Sequence, residues 1–335
     1  MKTVLAIRLS SLGDVLMTLP VLRTVLDSNP ALQIVWLTRA AYIPYFTGID
    51  RLLPVPFDGE GRHRGLMGCL RAYQDLKVYH ISRVIDLHGV IRTAVISTLF
   101  FVSFKPVTRI RKYRRLRRKI LRGDHSVSIP HTTQRYSETF GKAGFPILHS
   151  RKPELVVAAS RNGPVTHIGI APLAKHPTKV WNLDNMKELI TLLTNDNDQV
   201  VHLFGSAGER EVLDQFLMDR TINEAGLYPP LEELELIRSM DLFISMDSAN
   251  MHLAALAGVP SLTIWGSTDP AMGFYPLNQP AGYAIKADSS LVDCRPCSVF
   301  GEKPCRRKTD QMRCMNVILP GQVKRSVEDL LAGSG

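Results

Sequence analysis

Asp241-Leu-Phe-Ile-Ser-Met-Asp-Ser-Ala-Asn-Met-His-Leu-Ala-Ala-Leu-Ala-Gly-Val-Pro-Ser-Leu-Thr-Ile-Trp-Gly266 decides the fold. Leu242–Ser245 is a short apolar run that suits a buried strand. Met246–Asn250 is small and polar and can turn the chain. Met251–Ala257 suits a helix, and Gly258 with Pro260 ends it. Pro260–Trp265 then reads as a second buried strand. A strand–turn–helix–strand unit of this kind builds parallel sheets. In such sheets ligands bind beyond the carboxyl ends of the strands. The turn Asp247-Ser248-Ala249-Asn250 lies at that edge, and its backbone N–H groups open a helix, which favours phosphate or diphosphate. Simple helix capping by Asp247 and Ser248 accounts for the same residues, so both readings stand at this point.

Working outward, the second half repeats the pattern. His167–Ala171 predicts a strand, followed by the loop Leu173–Val180 with Lys175, His176 and Lys179. Trp181–Leu193 holds a helix capped by Asn182. Val200–Phe204 predicts a strand, Gly205-Ser206-Ala207-Gly208 a turn, and Glu209–Met218 and Pro229–Ser239 helices. The first half opens with strand Thr3–Leu9, turn Ser10–Asp14 and an amphipathic helix Val15–Leu26, which Pro20 should kink. Ile34–Leu37 and Val84–Leu87 follow as strands, and Arg135–Phe145 as a helix. Pro146–Pro153 reads as the passage between halves. The start is β-α-β but lacks Gly-x-Gly-x-x-Gly, which argues against a dehydrogenase. The expected architecture is α/β, with two Rossmann-like domains facing each other across a cleft.

The bulk numbers agree with two soluble domains. The chain has 335 residues, of which 45% are apolar and 21% charged,. Its net charge of +10 is uneven: residues 1–160 balance at +15 and the remainder at −5. The first half is therefore expected to meet something anionic. No stretch reaches the roughly 18–20 apolar residues of a spanning helix, and the N-terminus lacks the pattern of a signal peptide. A cytoplasmic location is expected, with a membrane surface within reach. Cys69 stands alone, whereas Cys294, Cys297, Cys305 and Cys314 fall close together, in a spacing compatible with tetrahedral zinc, with reduced packing thiols or with a local disulfide.

Several motifs together resemble one family. Ser11-Leu12-Gly13-Asp14 follows the first strand, Lys179 precedes Trp181, and Ser245-Met246-Asp247-Ser248 runs into Met251-His252-Leu253-Ala254. Trp265-Gly266-Ser267-Thr268-Asp269-Pro270 closes the series. In order and spacing these are similar to the bacterial lipopolysaccharide heptosyltransferases, which are GT-B glycosyltransferases. Two departures stand out: Ser248-Ala249 where the family usually has Thr-Gly, and Gly273-Phe274-Tyr275 where it tends to have Gly-Pro-Tyr. The resemblance implies an inverting transfer of heptose from ADP-heptose to the lipopolysaccharide inner core, with no cofactor and no catalytic metal. It further implies an acceptor-binding domain over residues 1–155 and a nucleotide-sugar domain over 156–335. A transferase of the same fold using another nucleotide sugar is the nearest alternative.

Sugar transfer needs a base, a held anomeric carbon and a stabilised leaving diphosphate. The resemblance gives Asp14 as the base and Lys179 as the diphosphate's partner, with Ser11 and Gly13 beside the acceptor. It gives Gly205 and Glu209 to the adenosine ribose, and Asp247, Ser248, Ala249 and His252 to the donor phosphates. His252 fits equally well as a packed core histidine.

Residues 105–123 carry ten Lys and Arg and no acid. With Tyr113 as its one aromatic, this run has little for base stacking, which counts against a nucleic-acid partner. Arg114, Arg115, Arg117 and Arg118 are instead expected to meet an anionic glycolipid acceptor and to hold the protein peripherally on the inner membrane.

Overall fold

In the computed structural model the opening stretch folds as its pattern dictates, and two parallel sheets are built around that logic. Residues 1–147, 165–195, 198–279 and 283–332 are described. The chain runs through β1 (Lys2–Ile7), α1 (Leu12–Leu16), α2 (Thr18–Ser28), β2 (Leu32–Thr38), β3 (Leu52–Pro56), α3 (Gly65–Leu76), β4 (Arg83–Asp86), α4 (Ile91–Val102), β5 (Val107–Arg109), α5 (Arg114–Ile120) and α6 (Thr132–Lys142). It continues with β6 (Thr166–Ala171), α7 (Leu183–Thr194), β7 (Gln199–Leu203), α8 (Arg210–Asp214), β8 (Thr221–Asn223), α9 (Pro230–Arg238), β9 (Leu242–Met246), α10 (Ala249–Ala257), β10 (Ser261–Trp265), β11 (Ala284–Lys286), α11 (Arg313–Asn316) and α12 (Pro320–Ala332).

The first sheet has the order β3-β2-β1-β4-β5 and the second β11-β10-β9-β6-β7-β8, with every pairing parallel. Helices cover both faces, so central strands read as unbroken apolar runs; all five residues of β9 and of β10 are buried,. In each sheet the chain steps outward from a starting strand, then returns to its other side. The reversal falls between β1 and β4 in the first sheet and between β6 and β9 in the second. Crevices at such reversals, outside the carboxyl ends, are where α/β sheets hold ligands.

Each sheet has its own core. Leu5, Ile7, Val35, Leu37, Ile96 and Phe100 belong to one; Ile168, Ile170, Trp181, Leu203, Ile244 and Ile264 belong to the other. Trp181 is fully buried, and its indole N–H is shared between the Met315 and Ile318 carbonyls, each at 3.2 Å, which ties the start of α7 to the segment around α11.

Three differences from expectation have plain causes. The expected kinked helix is two helices joined at Met17, and Pro20 sits in the first turn of α2, where no helical hydrogen bond is lost,. Helix α10 begins at Ala249 rather than Met251, because the Ser248 hydroxyl accepts the Asn250 N–H and caps it there,. Gly258 ends it with φ +79°, a left-handed position suited to glycine,. Finally, described residues 1–112 and 130–147 form one compact unit, while 113–129 belong with the residues from 165 onward. Helix α5 of the basic run thus packs in the second unit, not in the first half. Ile120 is buried there, the Arg117 guanidinium stands 5.2 Å from the Phe300 ring centre, and the Ile129 N–H donates to the Ala271 carbonyl at 2.8 Å. The expected passage between halves and the boundary after residue 155 lie outside the described residues, apart from Pro146 and Ile147.

Candidate active site

Both reversals carry charged side chains. In the second sheet, the loop after β6 ends in Lys179 and the turn after β9 begins with Asp247. Lys179 Nζ lies 2.7 Å from Asp247 Oδ2, with the two side chains 12% and 4% exposed. The Thr268 hydroxyl, from the loop after β10, donates to the same carboxylate oxygen at 2.7 Å. Asp247 therefore does not cap α10; Ser248 does. The Ser248 oxygen also stands 3.2 Å from the Ser245 hydroxyl. Ala249 opens α10, so the helix N-terminus, with its partial positive charge, faces the same edge as Lys179,. His252 is buried at 5% exposure within α10.

Lys179 is seated by a distant segment. Gly301, with φ +80°, packs on its methylenes: a Cβ there would fall 2.6 Å from Cε and 2.8 Å from Cγ. The Gly301 carbonyl accepts the Thr178 hydroxyl at 2.7 Å, and the Ser267 hydroxyl donates to Thr178 Oγ1 at 2.9 Å. The Cys297 and Ser298 N–H groups both donate to the Ser267 carbonyl. Arg295, buried, donates to the carbonyls of Gly266 and Thr268 and pairs with Asp269 at 3.4 Å. Its guanidinium is held below the ordinary value by burial, which Asp269 partly opposes. His176 is likewise lowered, first by burial and then by the neighbouring charges of Lys179 and Lys175. Lys179 and Arg295, each paired with a carboxylate, thus stand at this edge with the imidazole of His176 close by in the chain.

The four clustered cysteines are free thiols lining one small cavity with Arg295. Burial, then the neighbouring thiols, pushes Cys314 up to about 11. Among the described residues no three His, Cys, Asp or Glu side chains are placed to hold a metal ion.

Glu209 lies on the turn after β7. Its carboxylate accepts the Ser206 N–H and hydroxyl, each at 2.7 Å, closing a capping box,. The Gly205 carbonyl accepts the Gly226 N–H at 3.2 Å, so this turn and the end of β8 are joined.

In the first sheet, Ser11 occupies the N-cap position of α1 just after β1, Gly13 and Asp14 lie in the first turn of that helix, and the loop after β4 carries His88. Arg8 Nη2 lies 2.5 Å from Asp14 Oδ2, and the Ser11 hydroxyl donates to that oxygen at 2.9 Å. Gly13 is buried within α1. Tyr136, from α6, donates its hydroxyl to the Asp14 carbonyl at 3.1 Å. Arg8 also donates to the Leu87 carbonyl at 2.9 Å, which bridges the two loops of the reversal. Burial alone would lower Arg8, but Asp14 overrides it and the guanidinium stays above its ordinary value. His88 is held down to about 3, by burial and then by Arg8, so it is neutral at physiological pH. The motifs of the sequence do not reveal Arg8, His88, Gly301 or Arg295 as parts of these sites. Arg114, Arg115 and Arg118 are exposed on α5, in the second unit.

The chain matches the model of glycosyltransferase family 9 (heptosyltransferase) over residues 69–299. It is 24% identical over 293 residues to lipopolysaccharide heptosyltransferase 1 of Escherichia coli K12, covering 82% of this chain and 92% of that protein. Among solved structures, a family 9 glycosyltransferase from Veillonella parvula superposes with a TM-score of 0.75 at 18% identity, covering 99% and 98% of the two chains. The Escherichia coli heptosyltransferase WaaC with ADP superposes with a TM-score of 0.62 at 19% identity, covering 98% and 97%.

Proposed function

The chain belongs to glycosyltransferase family 9, the heptosyltransferases, and we propose that it transfers heptose from ADP-heptose to the inner core of lipopolysaccharide, inverting the anomeric carbon. It is a glycosyltransferase with a GT-B fold of two Rossmann-like domains. The observation that carries the reading is the buried Lys179–Asp247 pair beside the N-terminus of α10, at the reversal of the second sheet. A diphosphate entering there meets one ammonium, one helix terminus and a hydroxyl at Ser248. Gly205 and Glu209 belong to the same edge and stand for the ribose, with the Glu209 carboxylate exchanging its Ser206 bonds for sugar hydroxyls.

The reaction is a single displacement. The acceptor hydroxyl oxygen forms a bond to the anomeric carbon as the bond to the ADP oxygen breaks on the opposite face. Asp14 takes the acceptor proton, and Lys179 with the α10 terminus meets the charge that develops on ADP. Arg8 and Ser11 hold the Asp14 carboxylate in place before the acceptor arrives. No cofactor is required by this scheme. The acceptor is an anionic lipopolysaccharide precursor, which Arg114, Arg115, Arg117 and Arg118 engage at the inner membrane surface from the cytoplasm.

A nucleotide panel tests the donor assignment. In titration calorimetry, ADP should bind and UDP and GDP should bind at least ten times more weakly. Equal binding of all three would move the donor to another nucleotide sugar.

A further inference from the structure

Helix α4 turns an uncharged face to solvent. Its buried side holds Thr93, Ile96, Ser97 and Phe100. Helical spacing puts Ile91, Thr98 and Val102 on the opposite side, with Phe101 flanking them. Ile91 is 87% exposed, Phe101 64% and Val102 63%; Phe104, at a left-handed backbone position just past the helix, is 96% exposed. The helix has one charge, Arg92, and no acid. Outer faces of helices in soluble domains ordinarily carry charges.

The neighbouring helix extends this surface. Leu66 and Met67, in the first turn of α3, are 66% and 65% exposed. The Cys69 thiol meets the Arg92 carbonyl at 3.8 Å, so the first turns of α3 and α4 lie together. At the other end the Tyr73 and Ser103 hydroxyls stand 2.6 Å apart. The rim is basic: Arg64, Arg71 and Lys77 are exposed on the α3 side, Lys77 over the Tyr73 ring, and Lys105 follows Phe104. Of the nearby acids, Asp75 is taken by Arg62 at 2.7 Å and His63 at 3.1 Å, and Asp58 accepts the Gly61 and Arg62 N–H groups, each at 2.8 Å; Glu60 is exposed on the same loop, which meets Arg92.

We propose that the outer face of α4, with the first turn of α3, lies on an anionic lipid bilayer. An apolar centre with a predominantly basic rim matches acyl chains flanked by anionic headgroups. Exposed apolar side chains gathered along one helix pair mark interaction sites. At 12 residues, α4 is about 18 Å long, too short for a hydrocarbon core of about 30 Å. No described helix is long and apolar enough to cross a membrane. The helix therefore rests in the interfacial plane. This deepens the reading of a lipid-linked acceptor, resting on that reading for the identity of the membrane, and it concerns residues outside the catalytic groups.

The full chain is floated with vesicles of phosphatidylcholine alone and with 30% phosphatidylglycerol, beside the variant F101S/V102S/F104S. Both proteins are also assayed with a delipidated, water-soluble inner-core acceptor. Wild type should float with the anionic vesicles, the variant at least tenfold less, and both should transfer to the soluble acceptor at the same rate. A second variant, Phe104→Trp, should shift its emission to the blue on anionic vesicles and be quenched by brominated lipid. Equal flotation of wild type and triple variant, or a Phe104→Trp protein whose emission vesicles leave unchanged, overturns the proposal. So does a wild type that ignores vesicles but sediments as a dimer which the triple variant dissociates. Absence of transfer by both proteins would count against the function proposed above, and flotation is read independently of it.

Discussion

Lys179 and Asp247 close the reversal of the second sheet with an ion pair of 2.7 Å, shielded from water on nearly all sides. Breaking one member of such a pair leaves a buried charge without its partner. Asp247→Asn is expected to cost about 3–5 kcal/mol of stability, and the double variant Lys179→Met/Asp247→Asn less than the sum of the two single changes. Chemical denaturation of the four proteins checks this. Additive losses would mean that the pair contributes nothing beyond its separate members.

Lys179→Ala should weaken ADP binding on the order of 10- to 100-fold, the loss of one charge-assisted contact. Gly301→Ala should weaken it by a comparable factor, because its methyl group would displace the lysine stem. Combining the two changes should add little to Lys179→Ala alone. Calorimetric titration of ADP gives all three values, and a fully additive double variant would mean that Gly301 acts on the fold rather than through Lys179.

Asp14→Asn is expected to lower turnover by roughly 10²–10⁴-fold, the range for a general base. ADP affinity should stay as it is, since Asp14 belongs to the other unit. Steady-state rates and ADP titrations decide this together. Normal turnover in the variant would leave Asp14 as the partner of Arg8 and nothing more.

Much of this was legible in the sequence, and the gaps have physical causes. The central strands announced themselves because burial on both faces leaves continuous apolar runs, as in β9 and β10,. The edge strand β3, Leu-Leu-Pro-Val-Pro, does not look like a strand, yet an edge position tolerates the missing N–H groups of Pro54 and Pro56,. Lys179 and Asp247 were visible as members of separate motifs. That Gly301, 122 positions further on, would seat the lysine depends on tertiary packing that no local pattern encodes. The basic run was legible as charge; its place in the second unit rests on Ile120 and the Arg117–Phe300 contact, each a single side chain.

His88 gives a pH signature. Its folded value is depressed to about 3, chiefly by burial, so the unfolded chain binds the extra proton below its own value near 6.5,. Stability contributed by this group is present above pH 6.5 and is lost as pH falls towards 3. The loss is roughly 1.4 kcal/mol for each pH unit below 6.5. His88→Gln should remove that part of the slope. Denaturation midpoints between pH 4.5 and 7.5 would show it, and parallel curves for wild type and variant would contradict it.

The most direct measurement mixes the full chain with ADP-heptose and a heptose-less inner-core acceptor, and follows product mass and anomeric configuration. The acceptor should gain one heptosyl unit as one ADP is released, the new linkage should have the inverted configuration, and Asp14→Asn and Lys179→Ala should both suppress the product. Transfer only from a different nucleotide sugar, or retention of configuration, would contradict the proposed function.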